Sequence, residues 1–286
     1  RPNFAGGRSR PQTGACLPLR RLHGPKQAPF LCTPGAREHA TPTRLPLTIS
    51  ERMETALYLI PVTLGDTPHE RVLPEYNREV VRGIRHFIVE NLRTARRFLK
   101  RADPAIDIDA LHFSELNKHT PPEAVAAMLS PLAEGQPVGV LSEAGCPAVA
   151  DPGADVVAVA QRKGLRVVPL VGPSSILLAV MASGFNGQRF AFHGYLPIEA
   201  DRRTRRIKEL EARIYAEDET QLFIETPYRN ERLLEELVRT CRPSTRLCVA
   251  ANVTCADEFI RTRPVKEWAH KAPDLSHRPT IFALYK

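Results

Sequence analysis

The chain has 286 residues, of which 43% are hydrophobic, enough for two ordinary domains that each bury an apolar core without metals or disulfides. No run of about 18 uncharged apolar residues occurs and the N-terminus lacks the order of a secretory signal, so we expect neither a membrane span nor export. The cysteines form no CxxC pair and no Cys/His cluster with zinc-ligand spacing, which predicts no metal site and a reducing, cytoplasmic setting.

The net charge of +8 is unevenly distributed. Residues 1–52 hold nine Lys and Arg residues but only two Glu residues, so nearly all of the excess positive charge lies there. This segment also contains eight prolines and five glycines and no sustained hydrophobic period, which predicts disorder. Because Met53 stands directly before the first convincing strand, two interpretations stay open. Residues 1–52 lie upstream of the working protein, or they form a basic arm that tethers RNA.

From Met53 onward, short apolar segments alternate with helical ones. Strands are predicted at 56–62, 86–90, 138–141 and 166–171, and helices at 76–84, 92–100, 122–134 and 154–162, followed by an apolar helix that runs through Met181. This alternation of strand, turn and helix is typical of a doubly wound parallel sheet.

The pattern changes near residue 190. A strand at 190–197 ends at a proline, and the basic segment 202–208 opens a helix that runs to about Tyr215. Further strands are predicted at 221–225, 246–251, 258–262 and 280–285, with helices at 230–240 and 265–269. Since several of these strands can pair antiparallel, we predict an α/β protein with two domains. Residues 53–189 form an N-terminal domain with a mostly parallel sheet, and residues 190–286 form a smaller mixed α/β domain.

Three turns follow predicted strands of the first sheet: Pro61–Asp66, Ser142–Pro147 with Asp151–Gly153, and Gly172–Ser175. Open α/β sheets bind ligands at the carboxyl ends of their strands. Small residues in these turns allow main-chain groups to approach a ligand closely, and Glu143 supplies a carboxylate that can accept from a ribose hydroxyl or an ammonium group. The three turns together predict a ligand site.

The segments 141–153, 164–175 and 190–197, in this order, resemble the tetrapyrrole methylase family. The run Leu141-Ser-Glu-Ala-Gly-Cys-Pro147 and the turn Gly172-Pro-Ser-Ser175 carry much of the likeness. Within the family, the chain looks most like the branch that 2′-O-methylates a cytidine ribose in small-subunit ribosomal RNA. The resemblance covers residues 56–286, including the segment 223–229.

The resemblance implies two α/β domains with the methyl donor S-adenosylmethionine in the cleft between them, usually in a homodimer. Carried over by position, the implied donor-binding residues of the first domain are Leu64, Gly65, Glu143, Gly145, Cys146, Ser175 and Ile176. Those of the second domain are Tyr228, Val253 and Thr254. Cys146 has no histidine nearby in the sequence, so we expect only a backbone contact from it.

The chain departs from the branch at three places. The first loop reads Pro61-Val-Thr-Leu-Gly65-Asp66 instead of a Pro-Thr-Pro-Ile-Gly-Asn type sequence. The Glu-Asp-Thr-Arg motif of the branch is Glu90-Asn91-Leu92-Arg93 here, and Glu143 stands where the branch has Asp. These changes bear on the methyl acceptor more than on donor binding.

Transfer of a methyl group to a ribose hydroxyl needs positioning and removal of a proton. The candidate general base is Glu90, and Arg93 is expected to orient a phosphate or that base itself. The alternative is that these two residues form a structural salt bridge or helix cap. A basic cluster opens the helix after residue 200 and consists of Arg202, Arg203, Arg205 and Arg206. Its side chains either contact phosphates beside the cleft or are solvated helix charges. The same two interpretations apply to the run from Arg93 to Arg101.

Three functions remain open on the sequence. The first is 2′-O-methylation of ribosomal RNA, with that RNA or the small ribosomal subunit as partner. The second is methylation of a tetrapyrrole or another small anionic substrate, which the near-neutral charge of residues 53–286 allows. The third is an assembly factor that binds the donor without turnover, suggested by the altered Asn91 and Leu92.

Overall fold

The structure is a computed structural model that describes residues 53–117 and 119–286. The segment 1–52, for which the sequence predicts disorder, lies outside the described residues. The residues described fall within one compact unit. None of their helices combines the length and apolar character that crossing a membrane requires.

The first sheet contains five parallel strands in the order β3-β2-β4-β1-β5. Its strands are β1 (Leu57–Ile60), β2 (His86–Val89), β3 (His112–Glu115), β4 (Val138–Leu141) and β5 (Val167–Pro169). Four of the five were predicted. The exception is β3, an edge strand whose single apolar residue, Phe113, provides no periodic signal.

Helices cover both faces of this sheet. Before α2, a short α1 (His69–Val72) follows the first loop. The pair α2 (Glu75–Gly83) and α3 (Leu92–Ala102) packs on one face, while α4 (Pro122–Ala127), α5 (Ser130–Ala133) and α6 (Gly153–Arg162) pack on the other. In β2, Phe87 packs in the core on the face covered by α2 and α3, and Ile88 packs in the core on the opposite face, as alternation along a strand requires. The doubly wound arrangement that the sequence predicts is confirmed.

The helix predicted over 122–134 is two helices, α4 and α5. Pro131 lies in the first turn of α5 and has no backbone N–H to donate to Ala127, the last residue of α4. A continuous helix would lose that hydrogen bond and bring the proline ring against the preceding turn. The helix therefore ends and starts again.

The second sheet is mixed. Its strands are β6 (Phe190–Tyr195), β7 (Thr220–Ile224), β8 (Arg246–Ala251), β9 (Phe259–Pro264) and β10 (Thr280–Tyr285), in the order β6-β7-β10-β8-β9. The pair β6 and β7 is parallel, and the other neighbours are antiparallel. The predicted fold class, with one parallel and one mixed sheet, is confirmed.

Helices also cover both faces of the second sheet. On one face lie α8 (Ala200–Glu217), α9 (Asn230–Thr240) and α10 (Val265–Trp268), which pack around Phe223 and Phe282. On the other face lies α7 (Ser175–Ser183), whose Ala179 and Val180 pack against the strands. Although α7 precedes residue 190, its apolar side packs against the second sheet. The domain boundary between residues 189 and 190 stays a prediction.

Arg203 is not a surface residue. Its guanidinium donates from Nε to Glu236 of α9 at 2.7 Å and from one terminal nitrogen to the carbonyl oxygen of Ile198 at 2.6 Å. The Arg203 side chain is 6% exposed and that of Glu236 is 5% exposed. The expectation that Arg203 contacts phosphate is therefore corrected, because its hydrogen bonds hold α8 against α9.

Replacing Arg203 with alanine leaves the Glu236 carboxylate buried without its cation. We expect the free energy of unfolding to fall by about 3–5 kcal/mol, the usual cost of breaking a buried ion pair. Urea denaturation measures it. The control Arg202→Ala, at a side chain that is 70% exposed, is expected to change stability by less than about 0.5 kcal/mol. Similar small effects for both variants would contradict this role for Arg203.

Candidate active site

The three predicted turns meet at one edge of the first sheet. The backbone N–H of Val62 donates to the carbonyl oxygen of Gly145 at 2.9 Å, which joins the first turn to the second. Gly172 of the third turn lies so close to Pro61 that a Cβ at this position would collide with the proline ring. Parallel strands that end at a common edge bring the turns together, as the sequence predicts.

The first turn also contacts the second sheet. Thr67, which is 1% exposed, donates from Oγ1 to the carbonyl oxygen of Thr254 at 3.0 Å. Leu64 packs against the apolar cluster that includes Ala250 and Ile281. A Cβ on Gly65 would come within 2.5 Å of the Cys255 sulfur, so glycine allows the two segments to approach. The site is thus built from both sheets.

A cavity of about 310 Å³ lies where these segments meet, and a second of about 170 Å³ adjoins it. Both are bordered by Leu64, Ala144, Ser175, Ile224 and Ile281, so they are adjoining parts of one site. We call this space the interdomain cavity. Six of the ten residues that the resemblance implies for donor binding line it: Leu64, Gly145, Cys146, Ser175, Ile176 and Val253.

The other four lie elsewhere. Gly65 and Thr254 belong to the contact between the first turn and the second sheet, and Tyr228 is 71% exposed although its neighbour Pro227 lines the cavity. Glu143 accepts a hydrogen bond from Thr94 Oγ1 at 2.6 Å and borders a different, smaller cavity. A direct donor contact from these four stays a prediction.

Sequence reasoning missed the floor of the cavity, a row of side chains across the second sheet. Ile281 of β10 pairs with Ile224 of β7 on one side and with Ala250 of β8 on the other. The amino end of β10 thus lies between the carboxyl ends of two antiparallel neighbours. The row depends on the strand order, which no local pattern reports. In the sequence, the turns after β7 and β8 are the only features that indicate this part of the cavity.

The loops around the cavity hold strained backbone. Ala148 (φ +66°), Ala150 (φ +60°), Asn252 (φ +48°) and Thr254 (φ +75°) adopt left-handed conformations that residues other than glycine rarely take. Asp151 stabilises the first of these bends by accepting from the N–H groups of Ala148 and Gly153 at 2.7 and 2.8 Å. Such strain is typical of functional sites, where surrounding contacts maintain it.

Three carboxylates lie near the second turn. Burial raises the pKa of Glu90 above its ordinary value, and the nearby negative charges of Asp151 and Glu143 raise it further. Burial likewise raises the pKa of Asp151 and of the Cys146 thiol, which argues against a reactive thiolate at Cys146. Across the described ranges, 53–117 and 119–286, no group of three or more His, Cys, Asp or Glu side chains is placed to hold a metal ion.

The altered motif 90–93 retains a structural role at Asn91. The Asn91 side chain caps α3 by accepting from the N–H groups of Arg93 and Thr94 at 2.9 and 3.2 Å. Either Asp or Asn performs this function well. Within the described part of the chain, Glu90 and Arg93 form no ion pair within 4.0 Å, so the salt bridge considered from the sequence is not present.

Comparison with known proteins identifies the fold and the family. The sequence profile of the family described as Tetrapyrrole (Corrin/Porphyrin) Methylases matches residues 62–269. The chain belongs to the tetrapyrrole methylase family. This membership confirms the family and the enzyme class, a methyltransferase, that the sequence predicts.

Two relatives of this tetrapyrrole methylase carry the name ribosomal RNA small subunit methyltransferase I. The protein from Escherichia coli is 28% identical over 218 residues, covering 76% of this chain and 72% of the relative. The protein from Mesorhizobium japonicum is 30% identical over 217 residues, covering 76% of this chain and 70% of the relative. Among solved structures, the methyltransferase CobJ superposes with a TM-score of 0.55 at 15% identity, covering 81% of this chain and 94% of CobJ. The cobalt precorrin-4 methyltransferase CbiF superposes with a TM-score of 0.52 at 14% identity, covering 81% of this chain and 95% of CbiF.

In this family member the basic start of α8 lies away from the interdomain cavity. The helix packs on the opposite face of the second sheet, and none of the arginines predicted to bind phosphate lines the cavity. Arg206 donates to Glu209 and to His193 Nδ1, each at 3.2 Å, and Arg202 lies 3.7 Å from Glu199. Arg205 is exposed. The interpretation as helix surface charges therefore fits Arg202, Arg205 and Arg206 better, whereas Arg203 is buried.

The close approach of Gly172 to Pro61 yields a prediction. In Gly172→Ala the added methyl group forces the first and third turns apart, so we expect a loss of about 1–3 kcal/mol of stability, typical of overpacking, and weaker donor binding. Thermal unfolding and calorimetric titration with the donor measure the two effects. In Gly187→Ala the nearest atom would lie at 3.6 Å, so this control is expected to retain both properties. Unchanged donor affinity in Gly172→Ala would show that the turn spacing is not critical.

Proposed function

We propose that this chain is an S-adenosylmethionine-dependent methyltransferase that 2′-O-methylates a ribose in small-subunit ribosomal RNA. The observation that carries the proposal is the interdomain cavity, bordered by six of the ten residues expected to bind the donor. The names of the two relatives support the substrate. Such a substrate agrees with the cytoplasmic setting expected from the cysteine pattern.

The residues of the interdomain cavity fit the donor. Its volume lies at the lower end of the roughly 300–1,000 Å³ that small-molecule sites span. Leu64, Ile224 and Val253 provide apolar walls suited to a nucleobase, while Ser175 and the main chain at 144–146 provide polar groups. When bound, S-adenosylmethionine supplies an electrophilic methyl group. The task of the surrounding residues is then to exclude water and hold the acceptor in line.

Glu90 is the proposed general base. The hydroxyl of a ribose must lose its proton as it attacks, and a carboxylate with a raised pKa is better matched to this task near neutral pH than an ordinary one. Asn91 fixes the start of α3 directly after Glu90, which holds the carboxylate beside the second turn. With the cap intact, the change from Asp to Asn gives no structural reason for loss of turnover.

A homodimer completes the proposal. Apolar side chains are exposed along one series of elements: Val171 (73%) after β5, Met181 (77%) on α7 and Ile198 (69%) after β6. Both β5 and β6 are edge strands. The three side chains lie on elements that follow one another in the chain, and we propose that they form an apolar patch, which is typical of a subunit interface. Light scattering is expected to give twice the mass of one chain, and the mass of a single chain would contradict the dimer.

Methyl transfer tests the proposed function. Purified protein with radiolabelled donor is expected to label small ribosomal subunits from cells that lack this modification, with the label on a ribose oxygen. Ala144 borders both parts of the cavity, so Ala144→Phe should fill it and weaken donor binding by at least about 100-fold. The control Ala272→Phe, in a groove between α9 and α10, should bind normally. Tight donor binding without transfer, even in a single turnover, would refute the enzymatic proposal.

The pKa of Glu90 predicts the acid side of the pH profile. Below this pKa the carboxyl group is protonated and cannot accept the hydroxyl proton, so kcat/KM should fall about tenfold per pH unit. Glu143→Gln removes a negative charge that raises the pKa of Glu90, so the fall should begin at a lower pH. Glu90→Gln should reduce kcat by roughly 10²–10⁴-fold without changing donor affinity. A profile that Glu143→Gln does not move, together with an active Glu90→Gln enzyme, would exclude Glu90 as the base.

A further inference from the structure

A separate and smaller cavity, of about 120 Å³, lies on the side of the first two turns away from the interdomain cavity. Leu64 and Ala144 border the interdomain cavity, whereas their sequence neighbours Thr63 and Glu143 border this one. The two turns are therefore a wall that both cavities share. We call the smaller space the α3 cavity, because Arg97 and Arg101 of α3 form its far side.

One face of α3 is basic and turned toward solvent. Arg93, Arg97 and Arg101 are spaced four residues apart, which places them in one stripe along a helix. The opposite side of α3, which includes Ala95 and Leu99, is buried against the first sheet. The stripe thus leads along the surface to the α3 cavity.

Two of these arginines differ in their contacts. Arg101 lies 3.2 Å from Asp66 and donates to the carbonyl oxygen of Thr67 at 3.4 Å, so it is held against the first turn. Arg97 is exposed and makes no ion pair or side-chain hydrogen bond with any residue that the structure describes. A guanidinium that lines a cavity without a protein partner is free to bind an anion.

His69 provides an independent indication of a ligand. Its ring lines the α3 cavity, is 6% exposed and lies 5.0 Å from the ring of Phe98. The Nδ1 atom is buried and finds no hydrogen-bond partner among residues 53–117 and 119–286. Burial, reinforced by the charge of Arg101, lowers the pKa of His69, so the ring is neutral and able to donate one hydrogen bond. Buried polar atoms in native proteins nearly always have a partner.

We propose that the α3 cavity and the stripe Arg93, Arg97 and Arg101 bind backbone phosphates of the RNA next to the ribose that is methylated. The proposal rests on the proposed function and specifies where that function takes up its substrate. Guanidinium groups bind phosphate oxygens in paired hydrogen bonds, and they contact RNA of any sequence. Glu143, on the wall shared with the interdomain cavity, also borders the α3 cavity, where its carboxylate accepts a hydrogen bond from Thr94 Oγ1 at 2.6 Å.

The site differs from the basic start of α8. Arg205 is also exposed, but its helix covers the face of the second sheet opposite to the interdomain cavity. A phosphate bound there would lie behind the sheet, whereas one bound at Arg97 lies at the α3 cavity, which shares the first two turns with the interdomain cavity. Arg97 and Arg205 therefore form a matched pair, alike in charge and exposure and different in position.

Binding of small ribosomal subunits from cells that lack the modification tests the proposal. A filter assay, run at several salt concentrations without donor, compares the full chain with Arg97→Gln and Arg205→Gln. Loss of one phosphate contact should weaken binding several-fold at low salt and reduce the slope of log K against log salt by roughly 0.7–0.9. We expect this for Arg97→Gln only, with the donor affinity of both variants unchanged by calorimetry.

The outcomes separate this proposal from the proposed function. Equal binding by Arg97→Gln and the full chain, or an equal loss in Arg205→Gln, would overturn the α3 site, as would a full chain that binds no subunits. If the full chain binds subunits through Arg97 but transfers no methyl group to them, the α3 site stands and the proposed enzymatic function fails.

Discussion

The close contact between the ends of β1 and β5 is the constraint on which the site depends. Gly172 lies against Pro61 in a space that admits no Cβ, and Val62 is bonded to Gly145 of the neighbouring turn. A glycine at such a contact costs conformational entropy in the unfolded chain, yet no other residue permits the approach. With the three turns so close, their small residues border one cavity. Thr67 then joins this edge to the second sheet through Thr254, which closes the space from the other side.

The first two turns separate two environments. On one side is a cavity with a floor of apolar side chains from the second sheet, including Ile224 and Ile281, which suits an uncharged base. On the other side is a small space bordered by Arg97, Arg101 and the Glu143 carboxylate, where we propose that phosphate binds. Glu90 lies beside the same turns, where burial raises its pKa. The proposed reaction brings a nucleoside-type donor and a nucleic acid together, and this division gives each substrate a surface of its own.

Two of the departures from the rRNA-modifying branch are conservative in structure. Asn91 replaces an Asp of the family motif, and as an N-cap it makes the same hydrogen bonds to the backbone. Glu143 replaces another Asp, and its longer side chain reaches Thr94 on α3. Both changes therefore strengthen or preserve the attachment of α3 to the turns. Neither residue lines the interdomain cavity.

The sequence alone determined the alternation of strands and helices, the three turns at the sheet edge and the family, because these depend on local periodicity, on glycine and proline, and on motifs read in order. It did not reveal β3, whose single apolar residue gives no pattern, or the burial of Arg203, which looks like any surface arginine in a basic run. It also could not show that Ile224, Ala250 and Ile281 form one row. Only the tertiary structure decided these features, because strand order and helix packing bring together residues that no local pattern connects.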